Sequence, residues 1–196
     1  QDDTLARLDA LIDLNQSMPV GKRFVGIHYD IEPYVGEPWK AGQASRDVVM
    51  HDLLTFYVKA RQKLNDRGSQ MTLACDIPMW YDAKTAEDDH CIVSFNGETK
   101  NLHEHIQDLC DYIGIMSYRQ HVVGSNSVSE HIANELAYAR SINKTICASL
   151  ETIELEDTPQ ITFFGKTPNE FWEQLKLLNQ EHKDDPAYAG VLVHCY

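Results

Sequence analysis

Three titratable side chains sit at alternate positions of one apolar strand. In 23-RFVGIHYDIEPY-34, residues Val25, Ile27, Tyr29 and Ile31 share one face, while Gly26, His28, Asp30 and Glu32 share the other. A strand at the centre of an open parallel sheet is buried on both faces and reads as a continuous apolar run. This strand instead asks for helices on one side and a narrow, polar-tolerant interior on the other. The stretch 70-QMTLACDIP-78 repeats the pattern, with Met71, Leu73, Cys75 and Ile77 against Thr72, Ala74, Asp76 and Pro78.

Strands and amphipathic helices alternate along the rest of the chain. Leu5, Leu8, Leu11 and Ile12 make one helical face over 4–15. A helix is expected over 45–67, with Ser45 as N-cap and Gly68 just past its end. A hairpin around Asn96-Gly97 is expected within 91–100, followed by a helix near 101–110. Further strands are read at 112-YIGIMSYR-119, 144-KTICASLET-152 and 189-AGVLVHCY-196. Between them lie helices near 128–142 and from Thr167-Pro168 to about 183. This rhythm implies right-handed βαβ units and a parallel sheet.

The fold class is therefore α/β, and the strand chemistry selects a (β/α)8 TIM-barrel-like architecture over a doubly wound sheet. A full barrel has eight strands and about 250 residues, whereas these 196 residues supply five strands. The expectation is a single partial barrel over 1–196, running from strand four to strand eight. Upstream sequence or a partner chain, a homodimer included, would complete it.

A net charge of −13 argues against nucleic acid and anionic membrane surfaces as partners. No apolar run approaches the roughly 20 residues of a membrane span. The five cysteines lack CxxC spacing, and Cys75, Cys147 and Cys195 fall in strand-like runs where buried free thiols are expected. Such a set suits a cytoplasmic protein and also fits a bacterial protein outside the cytoplasm. No cofactor is implied. His103-Glu104-His105 is expected to be a solvated helix face rather than a metal cluster.

In a barrel, the lumen-facing strand ends converge on one mouth. The candidates are His28, Asp30 and Glu32, then Asp76 with Trp80 and Tyr81, then Met116 and Tyr118, then Glu151, and finally His194. Several carboxylates among aromatics suit glycoside hydrolysis, which needs a protonated acid and an ionised partner.

The segment 25-VGIHYDIE-32 resembles the strand-four signature DGxDxDxE of family 18 glycoside hydrolases, the chitinase-like group. It keeps Gly26, Asp30 and Glu32, and has Val25 and His28 in place of the outer aspartates. The stretch 115-IMSYR-119 is similar to the family's MxYD, with Arg119 in the Asp position. The last strand, 190-GVLVH-194, resembles GVMxW, with His194 replacing Trp. The resemblance implies Glu32 as general acid, Asp30 orienting a substrate N-acetyl group and Tyr118 hydrogen-bonded to that group. His28, Asp76, Trp80, Tyr81, Met116, Arg119 and His194 would line the substrate.

Other readings use the same residues. Glu32-Pro33 is also similar to the strand-four Glu-Pro of retaining clan A glycosidases, in which Glu151 would be the nucleophile. A non-catalytic carbohydrate-binding barrel is a third reading. A metal-dependent hydrolase or phosphodiesterase with His28, Asp30, Glu32 and Asp76 as ligands is a fourth.

Overall fold

In the computed structural model, residues 2–82 and 91–194 are described. Five strands form one parallel sheet: β1 (Gly26–Asp30), β2 (Thr72–Pro78), β5 (Tyr112–Met116), β6 (Thr145–Glu151) and β7 (Tyr188–His194), in the order β1-β2-β5-β6-β7. Neighbour order follows chain order with no reversal. That is how consecutive units of a (β/α)8 barrel are laid down, whereas a doubly wound sheet reverses at its switch point. A separate hairpin, β3 (Ile92–Phe95) with β4 (Glu98–Asn101), interrupts the count after β2. No helix among the described residues is long and apolar enough to cross a membrane.

The chain divides into two compact units. The first comprises described residues 2–75 and 91–111, the second 76–82 and 112–194, so β2 contributes to both.

In the first unit, α1 (Asp2–Ser17) buries Leu5, Leu8 and Ile12, the face its spacing predicts. The long helix α3 (Gln43–Asp66) follows a single-turn α2 (Glu37–Lys40). It starts two residues before Ser45, with Gly42 at the N-cap, so the expected cap at Ser45 is corrected. Its end is as expected. Gly68 takes φ +60°, and Ser69 N–H reaches Leu64 O at 2.9 Å while Gly68 N–H reaches Asn65 O at 2.9 Å, a Schellman closure. Tyr29 of β1 meets Phe56 of α3 edge-on at 5.0 Å, so the odd-numbered face of β1 is the helix-covered one. Arg61 of α3 donates to Leu109 O and to Asp111 Oδ2, and Asp111 Oδ2 also accepts Leu73 N–H at 2.7 Å. The hairpin turns on Asn96 (φ +51°) and Gly97 (φ +87°), the left-handed pair that a two-residue loop requires.

The helix α4 (Leu102–Leu109) is opened by a capping box, Asn101 with Glu104. Here one expectation is overturned: His103 and His105 are buried, not solvated. Gln107 Nε2 donates to His103 Nδ1 at 3.1 Å, and His105 Nε2 lies 3.1 Å from Val93 O. An eight-residue helix packed between the hairpin and α3 has little face left for water. Cys75, Cys91 and Cys110 are buried free thiols, and Cys75 Sγ lies 3.8 Å from Cys110 Sγ.

In the second unit, β5, β6 and β7 pair in parallel with Gly114 opposite Cys147, and Cys147 opposite Gly190. The helix expected over 128–142 is two pieces, α5 (Val128–His131) and α6 (Ala133–Ser141), parted at Ile132 (φ −101°, ψ 0°). The last helix, α7 (Pro168–His182), begins as read, with Thr167 as N-cap and Glu170 completing its box. Cys147 is a buried thiol whose pKa is pushed up by burial and by the nearby Asp76 charge, which makes it an inert core residue. Cys195 lies outside the described residues.

Candidate functional site

The first unit carries the signature strand. His28 and Asp30 are exposed, on the face opposite Tyr29. β1 ends at Asp30, so Glu32 falls beyond it, at φ −106° and ψ 72°, heading the 3₁₀ turn Pro33–Val35. Glu32 is half-buried, and its Oε1 is hydrogen-bonded to Tyr34 Oη two residues on. The proline locks φ for the turn, and the turn brings the phenol back over the carboxyl group. Sequence pattern does not single out Tyr34; its place in Glu-Pro-Tyr is the available signal. A cavity of about 400 Å³ in this unit is lined by Tyr29, Asp30, Pro33, Leu53 and Phe56 among others, on the side where Tyr29 meets α3.

The second unit shows what the inward faces of the strands hold. Asp76 Oδ1 lies so close to Gly114 that a Cβ there would sit 2.0 Å from it, and 2.7 Å from Leu192 Cδ1. Asp76, Gly114 and Leu192 therefore point to one face, and Cys147, registered between Gly114 and Gly190, shares it. This is the layered interior that a barrel strand presents.

The register of β7 decides where His194 points. Ile146 pairs with Tyr188 but Cys147 pairs with Gly190, so one residue is extra on β7. Gly190 adopts φ +130° at this bulge. The extra residue inverts parity: Tyr188 faces α7, where its hydroxyl donates to Asn179 Oδ1 at 2.9 Å, while Gly190, Leu192 and His194 face inward.

At the C-terminal ends of β6 and β7, Glu151 stands opposite His194. Glu151 is only 2% exposed. Its Oε1 accepts the backbone N–H groups of Thr152 and Ile153, both at 2.7 Å, and its Oε2 lies 2.6 Å from His194 Nδ1. Thr152 grips the His194 carbonyl twice, through N–H at 3.1 Å and Oγ1 at 2.7 Å. The ring of Tyr118 lies nearly parallel to that of His194, at 12° and 6.2 Å between centroids.

β5 stops at Met116, so Tyr118 and Arg119 belong to the loop after it rather than to a strand reaching 119. Arg119 is folded back on Asn126 Oδ1 (2.9 Å) and on the Tyr118 carbonyl (2.7 Å). Met116 is half-buried at its strand end. Trp80 is half-buried and meets Tyr81 edge-on at 5.1 Å, and Tyr81 is buried. No group of three or more His, Cys, Asp or Glu among the described residues is placed to hold a metal ion.

No protein-family profile matches the chain, and no curated protein does. Among solved structures it is similar to a chitinase from Chromobacterium violaceum, at 21% identity over 74% of this chain, with a TM-score of 0.39. It is also similar to the spore cortex-lytic enzyme SleL of Bacillus megaterium, at 14% identity over 95% of this chain, with a TM-score of 0.41. The chain spans 40% of the length of each.

Proposed function

We propose that this chain is part of a carbohydrate-active barrel of the chitinase-like kind, cleaving glycosidic bonds with Glu32 as the general acid. The observation that carries the reading is the setting of Glu32: a half-buried carboxyl group just past the C-terminal end of a parallel strand, hydrogen-bonded by Tyr34 Oη. Barrel enzymes keep their chemistry at that end of the strands. A general acid needs a held carboxyl that still reaches solvent and substrate.

In this reading Asp30, two residues back and exposed, orients a substrate N-acetyl group whose carbonyl attacks the anomeric carbon. The acetamido contact falls to Tyr118. The substrate is an oligosaccharide or glycoconjugate.

The competing use of Glu151 as a nucleophile is disfavoured. A nucleophilic carboxylate needs an oxygen open to the anomeric carbon, and both oxygens of Glu151 are hydrogen-bonded in a residue 2% exposed.

The test is hydrolysis of chromogenic glycosides with and without N-acetyl groups. Glu32→Gln should lower turnover roughly 10²- to 10⁴-fold, the range of general acid catalysis. Unchanged turnover in that variant ends the assignment. Sugar binding with no cleavage by the wild type replaces it with a carbohydrate-binding barrel.

A further inference from the structure

The Glu151–His194 pair has no role in the reaction proposed above, yet hydrogen bonds hold both of its carboxylate oxygens and the strand that carries its histidine. Its carboxylate is fixed from behind. Two backbone N–H groups hold Oε1, both at 2.7 Å, which leaves Oε2 aimed at His194 Nδ1 at 2.6 Å. An ionised carboxylate only accepts hydrogen bonds, so Nδ1 must carry the hydrogen. The strand is fixed as well: Thr152 holds the His194 carbonyl, and the bulge at Gly190 turns this parity of β7 inward.

We propose that Glu151 is a positioning residue that locks His194 in its Nδ1–H tautomer. Nε2 then serves as a hydrogen-bond acceptor for a neutral donor at the mouth of β7. A ring backed by a carboxylate suits a hydroxyl or amide N–H and repels an anion. The Tyr118 ring, nearly parallel to the imidazole, adds an aromatic surface beside it. Naming that donor as a sugar hydroxyl rests on the glycosidase reading, whereas the tautomer does not.

The two parts are tested separately. Long-range ¹H–¹⁵N correlation spectra of the labelled protein report imidazole tautomers, with His194 assigned by the signal lost in His194→Gln. The wild type should show the Nδ1–H form of the neutral ring. In Glu151→Gln the two backbone donors keep the amide oxygen at the Oε1 position, which turns the NH₂ toward Nδ1. His194 should then invert to the Nε2–H form. A wild-type Nε2–H tautomer, or an unchanged tautomer in Glu151→Gln, overturns the positioning role whatever sugars do. The wild-type spectrum alone decides this if the variant does not fold.

For the ligand, titration with N,N′-diacetylchitobiose should move the His194 Nε2 resonance, and sulfate at equal concentration should not. Affinity should fall at least about tenfold in His194→Ala, as for a lost polar contact. A correct tautomer with an Nε2 resonance that the disaccharide leaves unmoved overturns the sugar assignment and leaves the positioning role standing.

Discussion

Glu151 closes β6 and Glu32 stands two residues past the end of β1, and their surroundings divide them. Glu32 keeps partial access to solvent and one phenol partner, whereas Glu151 is enclosed and hydrogen-bonded at both oxygens. Gly114 shows the same dependence on neighbours. Any side chain there meets Asp76 Oδ1 and Leu192 Cδ1, so Gly114→Ala should destabilise by about 1–3 kcal/mol, read from urea unfolding. His103 gives a pH dependence. Burial pushes its pKa down to about 4, and Gln107 donates to Nδ1, a bond that only neutral imidazole accepts. The unfolded chain takes up that proton near pH 6.5 and the folded chain only near 4. Its stabilisation is therefore complete above about pH 6.5 and is lost as pH falls toward 4, by at most about 1.4 kcal/mol per pH unit. Burial moves His105 and His182 in the same direction. Unfolding at pH 7 and pH 5 should show a smaller difference in His103→Gln than in the wild type.

Among the elements, β7 depends most on a single residue. A non-glycine residue at φ +130° is strained by about 1–3 kcal/mol. Gly190→Val should therefore lower stability by that amount or slip the strand by one residue. A slip turns His194 away from Glu151 and abolishes the tautomer signature described above. The hairpin makes a milder case: Gly97→Ala at φ +87° should cost about 1 kcal/mol or slightly more, measured by thermal unfolding. Element boundaries are legible in the sequence wherever a cap or turn residue carries its own geometry, as at Gly68, Asn96-Gly97 and Thr167-Pro168. They are hidden where the determinant lies elsewhere. Ser45 has the chemistry of an N-cap, but the helix begins earlier, after Gly42. The break at Ile132 has no glycine or proline to announce it.

At the scale of the molecule, β1 and β7 are the edges of the five-stranded sheet. Beside β1 in the first unit, Val25 is 86% exposed, and in the second unit Val193 and Trp172 are exposed. Open edges flanked by apolar side chains favour pairing with further chain. This chain on its own should therefore self-associate, with a mass above the monomer by light scattering at micromolar concentration. A well-folded monomer there would count against it.

Alternation along 25–32 and 70–78 is enough to determine a barrel-type α/β fold, because a strand's two faces are written in the parity of its residues. The same parity marks His28, Asp30, Asp76 and Glu151 as candidates from the sequence by itself. Parity stops being readable where a strand ends or bulges. It does not show Glu32 turning off β1 onto Tyr34, nor the extra residue that directs His194 inward. Nor can local pattern reveal that His103 and His105 are enclosed, since burial is set by segments distant in the chain. The tertiary structure alone decides that Glu151 faces a histidine, because only the register of β6 against β7 brings residues 43 apart to 2.6 Å.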